Sequence, residues 1–430
     1  MRPSLKLLAL LVLSTSPLAA QGRRLDAEID RRAAQVEGKV VAWRRDIHAH
    51  PELSNREVRT GQIVAEHLRA LGLEVRTGVA HNGVVGVLRG GRPGPVVALR
   101  ADMDALPVTE EVDVPFASKV RSTYNGQDVG VMHACGHDAH VAILMGVAEV
   151  LAGMRRDLPG TVKFIFQPAE EGVPSGEDGG AAMMIAEGAL DDPKPGAIFG
   201  LHVFPYAAGE IMYRPGGLMA AADLLRIVVR GRQTHGAQPW SGIDPIVVTS
   251  QIVLGLQTIT SRQVDITAAP AIVTIGAVNG GVRNNIIPDS VVMIGTIRSF
   301  DAAMRRDIWA RVRRTAEGIA QSAGATAVVT IDSGPPVTYN DPTLTERMTP
   351  TLRRVTRVGT SEAKTTAEDF SRYQEKIPGL FFFLGITPPG TDPKAAAPNH
   401  SPRFFVDEAA LPVGVRALSH LAVDYLSSAR

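Results

Sequence analysis

The chain has 430 residues, too many for one compact hydrophobic core, so two domains are expected. Its 45 Lys and Arg against 44 Asp and Glu leave a formal net charge of +1, and only 5% of residues are aromatic. That balance, with no basic stripe, argues against a nucleic-acid surface or a base-stacking platform.

In chain order, Arg2 and Lys6 precede the apolar run LLALLVL and the small residues STSPLAA. This predicts an export signal over residues 1–20, cleaved near Ala20. The run is too short to span a bilayer. The mature protein is therefore expected to be periplasmic or secreted and free of the membrane. Leu25–His48 predicts a charged helix. Ser54–Glu57 has the spacing of a capping box and opens a helix running to Leu71. Gly83–Arg89 and Pro95–Ala101 predict strands, the second apolar enough to be a buried central one. It delivers Asp102 and Asp104. Met132–His140 reads MHACGHDAH and holds the only cysteine, Cys135, two residues before His137. One cysteine forms no internal disulfide. Asp138–Leu151 has helical apolar spacing. Thr161–Phe166 is a strand ending in QPAEEG, which carries Glu170 and Glu171. Ala197–Val203 is another, ending at His202. Polar groups at the carboxyl ends of buried strands are where an open α/β sheet builds its sites.

A second unit begins near Ala221. Strands at Leu224–Arg230, Ala271–Val278, Ser290–Ser299 and Thr326–Ile331 alternate with helices at Pro245–Arg262 and Ala302–Ala323. The order β-α-β-β-α-β is that of a ferredoxin-like split motif. The expected architecture is α/β: a mixed-sheet domain of residues 21–220 and 334–430, interrupted by a ferredoxin-like α+β lid of residues 221–333. The first domain resumes with a helix at Leu344–Val355, a strand at Gly379–Gly385, the loop holding His400, and a helix from Asp407.

A thiol and an imidazole two residues apart are a natural start for a divalent-metal site. Taken alone, the motif could equally be a buried thiol beside solvated histidines. Several ligand-bearing segments, with one carboxylate left over as a base, favour the metal. Such a combination suits hydrolytic chemistry, because divalent cations polarise an electrophile and acidify water while a spare carboxylate carries the proton. No G-x-S-x-G elbow or H-E-x-x-H motif is present, which removes the α/β-hydrolase and zincin readings.

HACGHD, QPAEEG, GLHV, AEDF (Ala367–Phe370) and NHSP (Asn399–Pro402) occur in this order from about Val41 to about Tyr425. In this ordered set the chain resembles the M20 metallo-amidohydrolases, in the branch of hippurate hydrolases, N-acyl-amino-acid deacylases and auxin-conjugate hydrolases. The resemblance implies two divalent ions held by Cys135, His137, Glu171, His202 and His400, with Glu170 as general base and acid. The thiolate favours zinc; manganese, cobalt or nickel would also serve. Other branches carry His-x-Asp where this chain has Asp102-Met-Asp104. Asp104 is expected to orient a ligand histidine through its other ring nitrogen. His133, His140, His48 and His50 are read as structural. In the second unit, the resemblance assigns His235 to the scissile carbonyl, in some relatives across a dimer interface, and Asn285 to substrate contact. Arg298 has the chemistry to grip a substrate carboxylate. The expected partner is a small N-acyl amino acid, with a homo-oligomer formed through the lid. A dipeptidase or metallo-carboxypeptidase is the alternative, and a catalytically dead binding protein the remote one.

Overall fold

In the computed structural model of the protein, residues 17–428 are described, with side chains from 24 onward. The apolar run of the expected export signal lies outside them. In chain order the strands are β1 (Glu74–Val79), β2 (Gly83–Arg89), β3 (Arg92–Asp102), β4 (Pro159–Gln167), β5 (Ala197–Ala207), β6 (Ile211–Tyr213), β7 (Ala221–Arg230), β8 (Ala271–Gly280), β9 (Ser290–Ser299), β10 (Thr326–Ser333), β11 (Val358–Thr360) and β12 (Gly379–Thr387). The main helices are α1 (Pro17–Ala49), α2 (Val58–Ala70), α3 (His137–Gly153), α4 (Pro245–Thr258), α5 (Ala302–Ser322), α6 (Pro342–Val355) and α7 (Leu411–Ser428). None of these helices is both long and apolar enough to cross a membrane.

An eight-stranded mixed sheet runs β1-β2-β4-β3-β5-β12-β6-β11. Its centre, β4-β3-β5-β12, is parallel; β1 and β2 add antiparallel strands at one edge. The central strands are apolar on both faces because both are covered. On one side α1, α3 and α7 supply Ile29, Val40, Leu144 and Leu418 to the main core. On the other a smaller cluster gathers Phe370, Tyr373, Phe381 and Phe383. Helix α3 is buried almost all round, which is why its sequence is apolar all round. In this register Asp102 of β3 pairs with Gln167 of β4, so the two strands end level. The loops carrying Asp104 and Glu170 therefore leave the sheet side by side.

The second sheet, β8-β9-β7-β10, is wholly antiparallel. Burial alternates along β7 with period two, placing Leu225, Ile227 and Val229 against Ile252 and Leu256 of α4 and Ile308 and Val312 of α5. It is the ferredoxin-like motif expected from the element order, with a core of its own. Asp244 and Asp301 cap its two helices through the backbone N–H groups of Ile246 and Met304. The helix predicted to Arg262 ends at Thr258 and closes in a π-turn over Ile259–Gln263.

The capping box predicted at Ser54–Glu57 is absent. Glu52 caps α2 instead, accepting from the backbone N–H groups of Arg59 and Thr60 at 2.9 and 2.8 Å. Ser54 and Glu57 turn away from the helix toward the loops at the end of the sheet.

Candidate metal centre

Cys135 precedes the first turn of α3, His137 opens it, and Gly136 stands between them at φ 92°. A β-carbon there would lie 2.3 Å from Val203 Cγ2, so only glycine lets the thiol and imidazole enter on consecutive bends. His202 comes from β5, Glu170 and Glu171 from the loop after β4, and His400 from the loop after β12. Two positions in these loops require left-handed backbone: Ala169, just before Glu170, at φ 54°, and His400 itself at φ 70°. Such strain persists where the surroundings over-determine the chain, and it concentrates at functional sites.

The segments converge. Cys135 Sγ lies 3.3 Å from His202 Nε2, and His400 Nε2 lies 3.1 Å from Glu171 Oε1. His137 Nε2 is 3.9 Å from both Glu170 Oε2 and Glu171 Oε1. Three overlapping sets hold donor atoms within 4.8 Å of one another: Cys135, His137 and His202; Cys135, Glu171 and His400; His137, Glu170 and Glu171. A thiol, three imidazoles and two carboxylates in one half-buried cleft suit a soft or borderline divalent cation. His137 Nε2 is buried with no hydrogen-bond partner, an open valence facing that donor set. The residues therefore fit a metal centre.

The surroundings orient these groups. Asp104 Oδ1 lies 3.3 Å from His137 Nδ1. The same carboxylate accepts from the backbone N–H groups of Glu170 and Glu171, each at 3.0 Å, and from the Ser54 hydroxyl at 2.7 Å. Burial alone would push the His137 pKa down, but the carboxylates of Asp102 and Asp104 outweigh it and hold the ring up at about 10. A ligating imidazole is neutral, so capture of a cation here is linked to proton release. Burial drives the Glu170 carboxyl well above its usual range, reinforced by Glu368, Glu171 and Asp369. His202 is pushed well below its ordinary value by burial, with His140 adding to it, which leaves its ring nitrogens neutral.

Cys135, Glu170, Glu171, His202 and His400 line a cavity of about 250 Å³. Phe204, Met219 and Phe383 form an apolar wall, and Arg298 reaches in from β9. The Arg298 guanidinium donates through Nε to the Thr365 carbonyl at 3.2 Å and through Nη1 to the Ile297 carbonyl at 3.1 Å. Among the described residues no carboxylate pairs with it, and burial lowers its pKa.

The model of peptidase family M20/M25/M40 matches residues 98–424. The chain belongs to the M20 family. It is thus a metal-dependent hydrolase of amide bonds. Thermostable carboxypeptidase 2 of Saccharolobus solfataricus is 42% identical over 395 residues, covering 91% of this chain and 96% of that protein. N-acetylcysteine deacetylase of Bacillus subtilis is 38% identical over 393 residues, 91% and 97% of the two chains. A dinuclear-metal-binding M20 peptidase from Bacillus subtilis superposes with a TM-score of 0.77 at 37% identity, covering 91% of this chain and 99% of that one.

Not every expected residue of this M20 hydrolase reaches the cavity. His235 and Asn285 lie on a short ribbon in which Thr234–His235 pairs with Ile286–Ile287, and both are exposed. Neither lines the cavity, whereas Arg298 does. Both ring nitrogens of His140 are engaged: Nδ1 lies 2.6 Å from Asp102 Oδ1, and Nε2 accepts from the Val203 N–H. His48 bridges Asp138 and Glu110 at 2.8 and 3.0 Å. His133 is buried with neither ring nitrogen partnered. Sequence reading missed Asn399, whose side-chain amide donates to the carbonyls of Cys135 and Val203 and ties the His400 loop to β5. Its place beside His400 was the only signal. It also missed the role of AEDF: Glu368 and Asp369 lie 3.0 and 2.9 Å from the buried guanidinium of Arg100. Glu170, Glu368 and Asp369 offer oxygens within 4.8 Å of one another.

Proposed function

We propose that the protein hydrolyses the amide bond of N-acyl amino acids, releasing a carboxylic acid and a free amino acid, with aromatic or acetyl acyl groups as substrates. The observation that carries this reading is the lining of one cavity: a guanidinium with no carboxylate partner among the described residues, the candidate ligands Cys135, Glu171, His202 and His400, the apolar side chains of Phe204, Met219 and Phe383, and no lining carboxylate other than Glu170 and Glu171. A substrate carboxylate suits Arg298, because bidentate charge-assisted bonds favour guanidinium. A neutral acyl cap suits Phe204, Met219 and Phe383. The free ammonium of a dipeptide would find no acidic side chain of its own.

Cys135, His137, Glu171, His202 and His400 hold two divalent cations in this proposal, zinc favoured by the thiolate, with manganese, cobalt or nickel as substitutes. The pair supplies Lewis acidity for the amide oxygen and lowers the pKa of water. Glu170 takes the proton from the attacking water. It then delivers that proton to the leaving nitrogen. Asp104 keeps His137 and the Glu170–Glu171 backbone in register for these steps. His235 and Asn285, exposed on their ribbon, are assigned to the cavity of a second copy. The apolar groove between α4 and β8, lined by Ile246, Leu254 and Val278, supports pairing through the inserted unit. Export by way of residues 1–20 is part of the same reading.

Carboxypeptidase action is the second reading, because a C-terminal carboxylate would suit Arg298 equally well. A turnover screen of metal-reconstituted protein separates the two. Benzoyl-, acetyl- and indolyl-amino acids should be cleaved well ahead of free dipeptides, and Glu170→Gln should abolish cleavage while retaining metal. Preferential cleavage of dipeptides overturns the acyl reading, and a fully active Glu170→Gln overturns the role of Glu170.

A further inference from the structure

The turn before α2 reaches the site through Ser54, and it also contains a fully buried carboxylate that the chemistry described so far does not use. Glu57 is 0% exposed and makes no capping bond to its own helix. Its Oε1 accepts from the backbone N–H of Ala169 at 2.8 Å and from that of Asn55 at 3.0 Å, and its Oε2 accepts from the Asn82 side chain at 3.3 Å. Ala169 is the residue at φ 54°, immediately before Glu170. An alanine in left-handed backbone reverts to negative φ unless something holds it. The next two N–H groups, of Glu170 and Glu171, are held by Asp104. Three consecutive backbone donors are thus gripped by two buried carboxylates. Asn55 extends the brace by donating to the Asp178 carbonyl at 3.1 Å, at the far end of the same loop. Burial and the neighbouring Asp104 raise the Glu57 pKa to about 8, so glutamine resembles its protonated form.

We propose that Glu57 is a positioning residue for the reaction, acting through the Ala169 N–H to hold the strained turn that aims the Glu170 carboxylate. Without it Ala169 relaxes and Glu170 swings, while Asp104 retains the Glu171 backbone. The inference rests on the reading of Glu170 as proton carrier, so its test includes a measurement independent of that reading.

Hydrogen exchange of metal-free protein reads the turn directly. In Glu57→Ala, exchange of peptides covering 165–175 should quicken while the rest of the large sheet stays unchanged. At equal metal content, kcat should fall about 100-fold, the scale of a misplacement of about 1 Å, with KM changed by less than about threefold. Glu57→Gln, which keeps an acceptor for Ala169, should restore slow exchange and recover most of the lost turnover. Glu57→Asp keeps the charge but withdraws it by one methylene, and should behave like the alanine variant if that protein does not fold. Unchanged exchange over 165–175 in the variants lacking the acceptor overturns the brace, whatever Glu170 does. So does a glutamine variant as impaired as alanine. If exchange quickens but kcat holds within about threefold while Glu170→Gln is inactive, the turn is held by Glu57 but does not aim Glu170, and the proposal also fails.

Discussion

In the large sheet one arginine, Arg100, lies fully buried among three carboxylates: Asp102 at 2.5 Å, Glu368 at 3.0 Å and Asp369 at 2.9 Å. In the inserted unit Arg305 of α5 pairs with Asp223 of β7 as its one carboxylate, at 2.5 Å, and Trp309 Nε1 donates to the same aspartate at 2.7 Å. The second arrangement is balanced, one charge against one, with the acceptor further satisfied by an indole. The first is not. Burial raises Glu368 to about 7 even though the guanidinium beside it pulls the other way, and Asp369 is raised as well. A fold seeking stability alone has no reason to bury excess negative charge, because desolvation is costly and incompletely repaid. The excess lies against Glu170, whose Oε1 accepts from the Asp369 backbone N–H at 3.4 Å. Imbalance of buried charge therefore marks the sheet that hosts the chemistry, and balance marks the one that supports it.

The sharpest way to break this comparison is to remove each arginine. Arg100→Met leaves three carboxylates facing one another and should cost about 3–5 kcal/mol of stability; Arg305→Met leaves one, still bonded to Trp309, and should cost about 1–3 kcal/mol. Denaturant unfolding at neutral pH measures both, and equal losses would erase the distinction between the sheets. Next in size, Arg298→Ala should raise KM about 10–30-fold for substrates bearing a free carboxylate. It should have little effect on the corresponding carboxamides, and an equal rise for both would detach Arg298 from carboxylate recognition. Smallest is His235→Ala, expected to lower kcat about tenfold without loss of metal. Mixing that protein with Glu170→Gln should recover activity if the histidine serves a second copy, and a mixture no more active than its parts would return His235 to its own ribbon.

How much was legible beforehand depended on the range of each interaction. β3, α3 and β12 carry their burial in their own composition, so element and burial could be read together. Cys135 and His137 were legible because their two-residue spacing is local. The capping box failed for the opposite reason. Ser54 and Glu57 have the right spacing for a cap, but Asp104 and Ala169, about 50 and 112 residues away, compete for the same side chains and win. Glu52 was overlooked because it reaches its N–H partners from outside the motif. Glu368 and Asp369 looked like residues starting a short helix. Nothing near them in the chain announces Arg100, more than 260 residues upstream.

Neighbouring residues alone were enough to read the order of strands and helices, the apolar central strands and the donor atoms available to a metal, because hydrophobic periodicity and motif spacing are local properties. It took the assembled fold to set which carboxylates hold the Glu170 turn, that Arg298 reaches the cavity with no carboxylate beside it, and which histidines stay outside the cavity. Those outcomes depend on strands that end level in the sheet, and that register brings together side chains separated by tens to hundreds of residues.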